Sequence, residues 1–402
     1  MGLILNDLKN ACELEHVCDY VNNRTTSSMN YISTENMLPN KGGISESTII
    51  PPGTTTEYKI GDILISNIRP YFQKIWCADR CGGCSADVLC IRAKENTDSK
   101  YLYYLLSQQA FFDYVMSGAK GCKMPRGDKK QIMQWPVNIP AIDVQKKVVA
   151  ILSSLDNKIR LNRRINDNLE EQAKALFKSW FVDFEPFKGG KFVDSKLGPI
   201  PEGWSIGKVN DVVQILSGFA FKSETFVQSG PYRLITIKGV QDGYLDISGA
   251  SYISKVPLKM PAYCNLEIGD ILLSLTGNVG RVCIVDRPNL LLNQRVAKLQ
   301  PRRDKQDLLF VYILFRQDTF KNHLLQIARG TAQLNLSPVE TREISIILPP
   351  ANVLLEFSKI GLYLFDKIAL SNQETLRLSA LRDTLLPKLM SGELSVEEVS
   401  LD

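Results

Sequence analysis

The spacing of apolar positions changes along the chain, and the same succession of patterns occurs twice. Two runs rich in isoleucine and leucine, at 62–66 and 270–275, each begin at a Gly-Asp turn. These runs predict short strands. Short helical patches are predicted at 101–116 and 308–327. After each mixed region the apolar period lengthens from 2 to about 3.5 residues, which predicts a long helix with a narrow apolar stripe.

The two successions align as an internal repeat. The segment GDILIS at 61–66 returns as GDILLS at 269–274, an offset of 208 residues, and VNIP at 137–140 returns as IILP at 346–349, an offset of 209. Self-similarity at a fixed period indicates duplicated structural units. We therefore predict an α+β fold with an internal pseudo-two-fold repeat, in which two similar mixed α/β domains are separated by two long helices.

Both long helices carry a heptad seam with alternating spacings of four and three residues. In the first helix the seam is Val148, Leu152, Leu155, Ile159, Asn162, Asn166, Leu169, Ala173, Leu176 and Trp180. In the second helix it is Phe357, Gly361, Leu364, Ile368, Ser371, Thr375, Leu378, Arg382, Leu385 and Leu389. Both seams have polar residues at the same two central positions, and such residues fix register at some cost in stability. The seams predict that the two helices pair as a coiled coil.

The alternative to pairing is two ordinary amphipathic helices, each buried separately in its own core. Many charged residues flank the first seam, between 158 and 174, and leave an apolar stripe narrower than a core helix usually shows. This narrow stripe favours the paired arrangement.

Glycine and proline mark the boundary between the two copies. Three prolines and four glycines lie between 185 and 204, where they stop the first helix and predict an extended connector. Pro387 further predicts that the second helix ends early relative to the first. The predicted segments are mixed domains at 1–140 and 205–350, long helices at 141–184 and 351–392, and the connector at 185–204.

Composition and charge restrict the function classes. The chain has 402 residues, 44% of them hydrophobic and 23% charged, which is typical of a folded globular protein. A net charge of +5 permits a nucleic-acid partner without requiring one. No apolar run approaches the roughly 18 residues of a membrane span, and the N-terminus lacks a basic signal region. We therefore expect a cytoplasmic location, no membrane partner, and reduced thiols for the nine cysteines.

The chain lacks the local motifs of phosphate, cofactor and metal sites. It contains no G-x-x-x-x-G-K-[ST], no G-x-G-x-x-G after a strand and no H-E-x-x-H, and two histidines offer little for a catalytic triad or metal site. We therefore expect no catalytic residue and no metal ligand here. One alternative is an autonomous nuclease that uses the scattered carboxylates Asp62, Asp87 and Asp270. Asp62 and Asp270 are more simply turn residues before strands.

A cysteine cluster leaves one metal question open. Cys77, Cys81, Cys84 and Cys90 lie close in sequence, and a C-x-x-C with two glycines between is compatible with a zinc knuckle. The run 85–91 instead alternates like a strand, which would place Cys84 and Cys90 on one face of a sheet core. Free cysteine is a common small core residue, so both interpretations stay open.

Two loops at equivalent positions of the repeat carry candidate contacts to DNA. The first is basic, and its candidate residues are Lys120, Lys123, Arg126, Lys129 and Lys130. The second offers Arg329, Gln333 and Asn335. Lysine and arginine suit phosphates or guanine edges, whereas amide side chains suit adenine edges. Either loop is alternatively just a solvated surface; if both contact bases, the two halves read different sequences.

Several stretches resemble the specificity subunits of type I restriction-modification systems. They are FKSWFVDFEPF at 177–187, LGPIPEGW at 197–204, SGFAF at 217–221, GTAQ at 330–333 and LPKLMSGEL at 386–394. The resemblance covers essentially the whole chain and keeps the family's order of recognition domain, helix, recognition domain, helix. The first copy departs from it, because it lacks the LGPIPEGW segment and has GCK at 121–123 where the second copy has GTAQ.

The resemblance implies a non-catalytic subunit that recognises double-stranded DNA. Each mixed domain would be a target recognition domain for one half of a bipartite, asymmetric site, and the helices would form an antiparallel coiled coil that sets the spacer. Two methyltransferase subunits would dock and bring S-adenosylmethionine, and a restriction and translocase subunit would use ATP and Mg. This chain itself would hold no cofactor. A competing function is a protein–protein scaffold without DNA readout.

Overall fold

The structure is a computed structural model of the chain. It describes residues 12–26, 30–45, 47, 53–247, 249–303, 307–330 and 333–396. The first residues of the predicted first domain, and Thr331 and Ala332 of the second candidate loop, lie outside the described residues. The chain divides into two compact units: unit 1 runs to Lys158 and resumes at Leu378, and unit 2 is Ile159–Arg377. Each long helix therefore contributes residues to both units.

Two long helices and seven short ones are found in the described chain. The α-helices are α1 (Ser99–Leu106), α2 (Gln109–Ser117), α3 (Lys129–Met133), α4 (Ile142–Phe181), α5 (Val209–Val212), α6 (Leu308–Arg316), α7 (Asp318–Ile327), α8 (Pro338–Arg342) and α9 (Ala351–Ser391). Short 3-10 helices lie at Leu14–His16, Pro70–Phe72, Glu185–Phe187, Ser223–Thr225 and Ala262–Cys264. None of the described helices is long and apolar enough to cross a membrane.

The described residues of unit 1 form three sheets. Its strands are β1 (Cys12–Glu13), β2 (Cys18–Tyr20), β3 (Arg24–Thr25), β4 (Thr55–Tyr58), β5 (Ile63–Ser66), β6 (Ile75–Cys77), β7 (Gly82–Cys84), β8 (Val88–Ala93) and β9 (Pro136–Val137). The main sheet has the order β2-β8-β5-β6 and is antiparallel throughout. Strands β3, β4 and β7 form a second sheet, and β1 pairs with β9. Helix α1 packs on the main sheet and α2 packs on α1, and together they complete a core that includes Ile63, Leu102 and Phe111.

Unit 2 repeats this arrangement and extends it. Its strands are β10 (Phe192–Val193), β11 (Ile200–Pro201), β12 (Ser205–Lys208), β13 (Val213–Ser217), β14 (Phe226–Val227), β15 (Tyr232–Ile235), β16 (Tyr252–Ile253), β17 (Asn265–Leu266), β18 (Ile271–Ser274), β19 (Val282–Ile284), β20 (Leu290–Leu292), β21 (Val296–Pro301) and β22 (Ser345–Leu348). An antiparallel sheet has the order β13-β21-β18-β19, and a second has the order β14-β16-β15-β20-β17. In the second sheet β15 and β20 are parallel.

The predicted repeat corresponds to equivalent elements in the two units. The sheets β2-β8-β5-β6 and β13-β21-β18-β19 have the same strand order, and α1, α2 and α3 occur in the same order as α6, α7 and α8. Each predicted Gly-Asp turn precedes its central strand, with Gly61 and Gly269 at φ values of +89° and +93°. The side chains of Asp62 and Asp270 accept hydrogen bonds from backbone N–H groups three residues earlier. The same local chemistry therefore starts the same strand twice.

Segments of the long helices pack together within each unit. In unit 1, Leu152 of α4 is buried in one cluster with Leu386 and Leu389 of α9. The seam residue Leu155 is also buried there, whereas Leu378 and Leu385 are half-buried. The buried seam residues Ile159 and Asn162 belong to unit 2. In unit 2, seam residues of both helices lie in or against the same core; they are Leu169, Leu176, Leu364 and Ile368.

Polar seam residues also make contacts between the two helices in unit 2. Asn162 Nδ2 donates to Glu374 Oε2 at 2.7 Å, and Asn166 Nδ2 donates to Asn372 Oδ1 at 2.7 Å. Ser371 Oγ donates to the backbone oxygen of Asn162 at 3.3 Å, and Thr375 is half-buried nearby in sequence. These helix segments run in opposite directions, because residues further along α4 contact residues nearer the start of α9. At the end of α4, Phe181 packs on Phe357.

The Asn162–Glu374 hydrogen bond predicts measurable coupling between the helices. In a double-mutant cycle, Asn162→Ala and Glu374→Ala are expected to couple by about 1.5 kcal/mol or more, because a hydrogen bond to a charged group is stronger than a neutral one. The measurement is the free energy of urea unfolding of the four proteins. The matched control is the cycle of Lys359 and Glu356, an exposed pair on α9 at 2.6 Å, where coupling near 0.3–0.5 kcal/mol is expected. Equal coupling in both cycles would contradict this role of Asn162.

The predicted helical patches are confirmed, whereas the prediction that Pro387 ends the second helix early was wrong. The patches at 101–116 and 308–327 are each two helices, separated at residues 107–108 and at 317. Pro387 lies inside α9, which continues to Ser391, so the second helix does not end early. Proline removes one backbone hydrogen bond, and this loss is tolerated in the last turns because Leu386, Leu389 and Met390 are buried in the core of unit 1.

The connector is packed rather than simply extended. It contains the antiparallel pair β10–β11, and the buried side chains of Ile200 and Trp204 belong to the main core of unit 2. The Trp204 ring lies 6.0 Å from the ring of Phe181 at the end of α4, and 5.3 Å from the ring of Phe184. The helix ends at Phe181, ahead of the first proline of the connector, and aromatic packing holds the following segment against the helix end.

Candidate nucleic-acid interface

The basic loop of unit 1 is a tight hairpin on the surface. Lys120 and Arg126 form a two-way backbone pair, with both N–H to oxygen distances at 2.9 Å. Gly121 turns the chain at a φ of +99°, in the left-handed region that favours glycine. On its other side Arg126 forms an antiparallel bridge with Ile68, next to the end of β5. The hairpin is therefore fixed to the central strand of the main sheet.

The five cations predicted in this loop lie on the hairpin and on the short helix that follows it. Lys120, Lys123 and Arg126 are exposed on the hairpin, and Lys129 and Lys130 are exposed in the first turn of α3, which directly follows. Lys129 Nζ lies 5.9 Å from the centre of the Tyr20 ring, whose hydroxyl donates to the Lys129 backbone oxygen at 3.1 Å. All five side chains are therefore accessible to solvent.

Two carboxylates that the sequence analysis did not connect with this loop form ion pairs with two of its cations. Lys120 Nζ lies 2.8 Å from Asp128 Oδ2, and Arg126 Nη2 lies 3.0 Å from Asp87 Oδ1. Asp128 also caps α3 by accepting from the backbone N–H groups of Lys130 and Gln131. The hydrogen bond from Lys120, followed by these backbone bonds, lowers the pKa of Asp128. The signal for Asp128 was its position directly before a helix.

The second candidate loop forms the equivalent hairpin in unit 2. Arg329 and Asn335 make the same two-way backbone pair, at 2.9 and 2.8 Å, and Gly330 has a φ of +124°. Asn335 bridges Thr276 next to the end of β18, as Arg126 bridges Ile68 next to the end of β5. Arg329, Gln333 and Asn335 are all exposed. The two hairpins therefore use the same backbone pattern at equivalent places in the repeat.

The side chains of the two hairpins differ in chemistry. Arg329 pairs with Glu340 in the first turn of α8, much as Lys120 pairs with Asp128 at the start of α3. Asn335 Oδ1 accepts from Thr276 Oγ1 at 2.8 Å, which orients its amide group. Gln333 has no counterpart among the cations of the first hairpin. One hairpin presents mainly positive charge, whereas the other presents amides that can donate and accept.

The three aspartates of the nuclease alternative occupy separate structural roles. Asp62 accepts two hydrogen bonds from the Arg92 guanidinium, both at 2.7 Å. Asp270 lies 2.8 Å from Lys298 Nζ, and Asp87 holds Arg126. No three metal-binding side chains in the described chain are grouped so that they could hold an ion. Each of these three carboxylates thus takes part in a turn or in an ion pair.

The cysteine cluster does not assemble as a set of four ligands. Cys84 ends β7, Cys90 lies in β8, and both are buried in the same apolar cluster, whereas Cys81 is exposed. The run 85–91 is not a single strand, which corrects the prediction, although Cys84 and Cys90 do face one core. A hydrogen bond with Cys84, and then burial, raise the pKa of Cys90, and burial raises the pKa of Cys77 to about 11. Both effects favour the protonated form of these two thiols.

Comparison with known protein families shows to which family the chain belongs. The sequence model of the family described as "Type I restriction modification DNA specificity domain" matches residues 10–171 and 201–378, which is most of the chain. The chain belongs to this family. The resemblance predicted from the sequence motifs is therefore confirmed, and the role of this specificity subunit is DNA recognition within a type I restriction-modification system. The two matches also reproduce the repeat, because each covers most of one mixed domain and part of the long helix that follows it.

Individual relatives resemble this specificity subunit along most of their length. The type I restriction enzyme MjaIX specificity subunit of Methanocaldococcus jannaschii is 29% identical over 314 residues, covering 76% of this chain and 71% of the relative. The HindI specificity subunit of Haemophilus influenzae is 26% identical over 441 residues, covering 90% and 94%. The crystal structure of an S subunit from M. genitalium aligns with 97% of this chain and 98% of its own, at 16% identity and a TM-score of 0.49.

Proposed function

We propose that each hairpin-bearing domain of this specificity subunit reads one half of a bipartite, asymmetric DNA site. The observation that carries the proposal is the pair of equivalent hairpins, 120–126 and 329–335, which share a backbone pattern but present different side chains. A duplicated scaffold with different reading groups suits two different half-sites, because base edges are distinguished by their donors and acceptors. The flanking cations suit the phosphate backbone, which supplies affinity and register.

The two hairpins are proposed to divide recognition by chemistry. Lys120 and Lys123 would contact phosphates, and Arg126 would contact a phosphate or a guanine edge. Lys129 and Lys130, in the first turn of α3, add charge beside them. In unit 2, Gln333 is the proposed adenine-reading side chain, Arg329 is a phosphate contact, and Asn335 presents an amide already oriented by Thr276.

The long helices are proposed to pair as an antiparallel coiled coil that sets the spacer between half-sites. The buried seam and the hydrogen bonds of Asn162 and Asn166 with α9 support this proposal. In unit 2 the same helices expose large apolar side chains, namely Leu161, Ile165, Ile360 and Tyr363. Exposed apolar groups on otherwise charged helices suit protein docking, and we propose two methyltransferase subunits as the partners.

Catalysis and cofactors are assigned to the partners in this proposal. S-adenosylmethionine would enter with the methyltransferase subunits, and ATP and Mg with a restriction and translocase subunit. This chain would be a non-catalytic cytoplasmic subunit. The ion pairs of Asp62, Asp87 and Asp270 support that assignment, because each carboxylate already has a cationic partner.

The decisive experiment maps DNA methylation by the assembled complex. Co-expression with the methyltransferase partner should methylate adenines in a split motif with a fixed gap. Gln333→Ala should relax one half of the motif, with a loss of discrimination of about 1–3 kcal/mol at one base pair, and leave the other half unchanged. A complex that assembles but shows no DNA affinity would support the scaffold function instead.

The salt dependence of DNA binding by the same complex tests the role of the charges on the first hairpin. Lys120→Ala should weaken binding to all sequences and reduce the salt slope by about 1, because one phosphate contact is lost. Lys222→Ala is the matched control, since its side chain is 80% exposed, close to the 82% of Lys120, but it lies outside both hairpins. An unchanged salt slope for Lys120→Ala would contradict the proposal that the first hairpin contacts DNA.

A further inference from the structure

An aromatic turn lies beside the first hairpin and was not singled out by the sequence. The 3-10 helix Pro70–Phe72 connects β5 to β6, and Arg69 and Gln73 on either side of it both have a φ of +50°. Non-glycine residues rarely adopt this left-handed conformation, and strained backbone of this kind clusters at binding sites. Two such residues within one short turn indicate that the surrounding structure imposes its shape.

The turn holds two large aromatic side chains toward solvent. Tyr71 is 49% exposed and Phe72 is 38% exposed, with their ring centroids 4.7 Å apart. Aromatic rings gain much of their stabilisation from burial, so a rigid turn that leaves two adjacent rings exposed favours a binding role. The pair forms a small apolar surface, which we call the aromatic turn.

Neighbouring loops fix the aromatic turn in place. The backbone N–H groups of Asn40 and Lys41 donate to the oxygens of Phe72 and Gln73, at 2.8 and 3.0 Å. The side chain of Gln73 donates to that of Gln109 at the start of α2. The rings are therefore presented on an ordered backbone, and a partner that binds them does not have to order this loop first.

The aromatic turn is continuous with the basic hairpin. The backbone N–H of Arg69 donates to the oxygen of Pro125 at 2.8 Å, one residue before Arg126 in the hairpin. The buried Nε of Arg69 has no hydrogen-bond partner within the described chain. Lys74 Nζ lies 6.0 Å from the centre of the Phe72 ring. The turn that carries the exposed rings is thus hydrogen-bonded to the basic hairpin and has Lys74 beside Phe72, and rings together with cations suit nucleic acid.

The equivalent turn of unit 2 has no aromatic residue. Positions 277–280, between β18 and β19, are Gly277, Asn278, Val279 and Gly280, and Val279 is buried. There the side chain of Gln333 approaches the turn, 3.0 Å from the position of a Cβ on Gly277. The compact glycine turn therefore leaves room for the amide of the second hairpin, whereas the first turn projects its own rings.

We propose that Tyr71 and Phe72 contact duplex DNA in the half-site read by the first domain, by packing on apolar base edges in the groove beside the hairpin. The inference rests on the proposed function and deepens it by naming a second reading element. Apolar side chains, phenylalanine included, are known to pack on the thymine methyl group in the major groove. The adjoining cations would hold the phosphates on either side of the rings.

The test compares ring-removing and ring-retaining variants in the complex with the methyltransferase subunits. Tyr71→Ala and Phe72→Ala are expected to weaken binding to the target duplex roughly tenfold each, whereas Tyr71→Phe should stay within about twofold. Ile60→Ala is the matched control, because Ile60 is 69% exposed in the same unit but lies at the opposite end of β5. Thermal unfolding should be unchanged in all four variants, since the side chains are exposed.

Photo-cross-linking gives a second measurement that does not depend on loss of function. A photoreactive p-benzoyl-phenylalanine at position 71 should cross-link to the target duplex, and the same group at position 60 should not. Wild-type affinity from the alanine variants, together with no cross-link at 71, would overturn the inference. If the wild-type complex itself methylates no split motif, the proposed function fails instead, so the two failures are distinguishable.

Discussion

Replacing Trp204 with alanine is expected to destabilise unit 2 by about 3–5 kcal/mol, the usual cost of removing a buried aromatic side chain. Trp204 is buried, and its ring contacts the rings of Phe181, Phe184 and Phe187 at centroid distances between 5.1 and 6.0 Å. The change leaves a cavity where the connector meets the end of α4. Urea unfolding followed by circular dichroism measures the loss, because α4 and α9 dominate the helical signal.

Phe192→Ala is the control for the connector. Phe192 lies in the same connector and contacts the Phe184 ring at 5.9 Å, but its side chain is exposed. We expect a cost of about 1 kcal/mol or less for this change, as for most surface substitutions. Similar costs for the two variants would mean that the aromatic cluster does not hold the connector, and that the glycines and prolines leave it a simple linker.

Arg316→Ala is the second change with a large expected effect, about 3–5 kcal/mol, because it leaves a buried carboxylate without its cation. Arg316 Nη2 lies 2.6 Å from Glu170 Oε2, and both side chains are almost fully buried. Arg316 Nη1 also lies 3.1 Å from Asp242 Oδ1. Tyr312 donates to Glu170 Oε1 at 2.6 Å, and burial is the main reason that the pKa of Tyr312 is raised well above its ordinary value. This network ties α6 to α4 within unit 2.

Lys321→Ala provides the matched comparison for Arg316→Ala. Lys321 Nζ lies 2.7 Å from the same Asp242 carboxylate, but this pair is partly exposed and should contribute at most about 1 kcal/mol. Urea unfolding measures both variants. A loss for Arg316→Ala as small as that for Lys321→Ala would show that Glu170 is rehydrated at little cost. The expected large difference would show that burial, rather than the number of ion pairs, sets the contribution.

The loss of stability expected for Trp204→Ala and for Arg316→Ala has a consequence for DNA recognition. The second hairpin is attached to β18 through Asn335 and Thr276, and β18 belongs to the core that Trp204 completes. Helix α6, which carries Arg316, packs in the same core. We therefore expect Trp204→Ala and Arg316→Ala to weaken the half-site choice of the second domain only at temperatures where unit 2 begins to unfold.

Local patterns in the sequence were sufficient to predict the repeat and to locate the two candidate loops. The Gly-Asp turns before β5 and β18 could be predicted because a glycine with positive φ and an aspartate that caps its own turn act over three residues. The cation-rich and amide-rich loops were found because exposure of charged and amide side chains is the default. These features depend on residues that are neighbours in the chain, so a single sequence contains them.

Contacts between distant residues were decided only by the tertiary structure. Asp87 forms an ion pair with Arg126, 39 positions later in the chain, and Arg69 donates a backbone hydrogen bond to Pro125, 56 positions later. No local sequence pattern therefore predicts the orientation of the hairpin or the exposure of the aromatic turn. Pro387 stays helical for a similar reason, because its neighbours are buried in a core built from residues more than 200 positions earlier.

The sequence by itself determined the family, the duplicated order of elements and the chemical difference between the two loops, because these follow from composition, spacing and motif. The tertiary structure alone decided which side chains are paired and which remain available. The cysteines are the clearest case: their spacing permits a zinc knuckle, yet Cys84 and Cys90 lie on strands of different sheets and face one apolar core. Burial and long-range packing depend on the whole fold, and no local pattern specifies them.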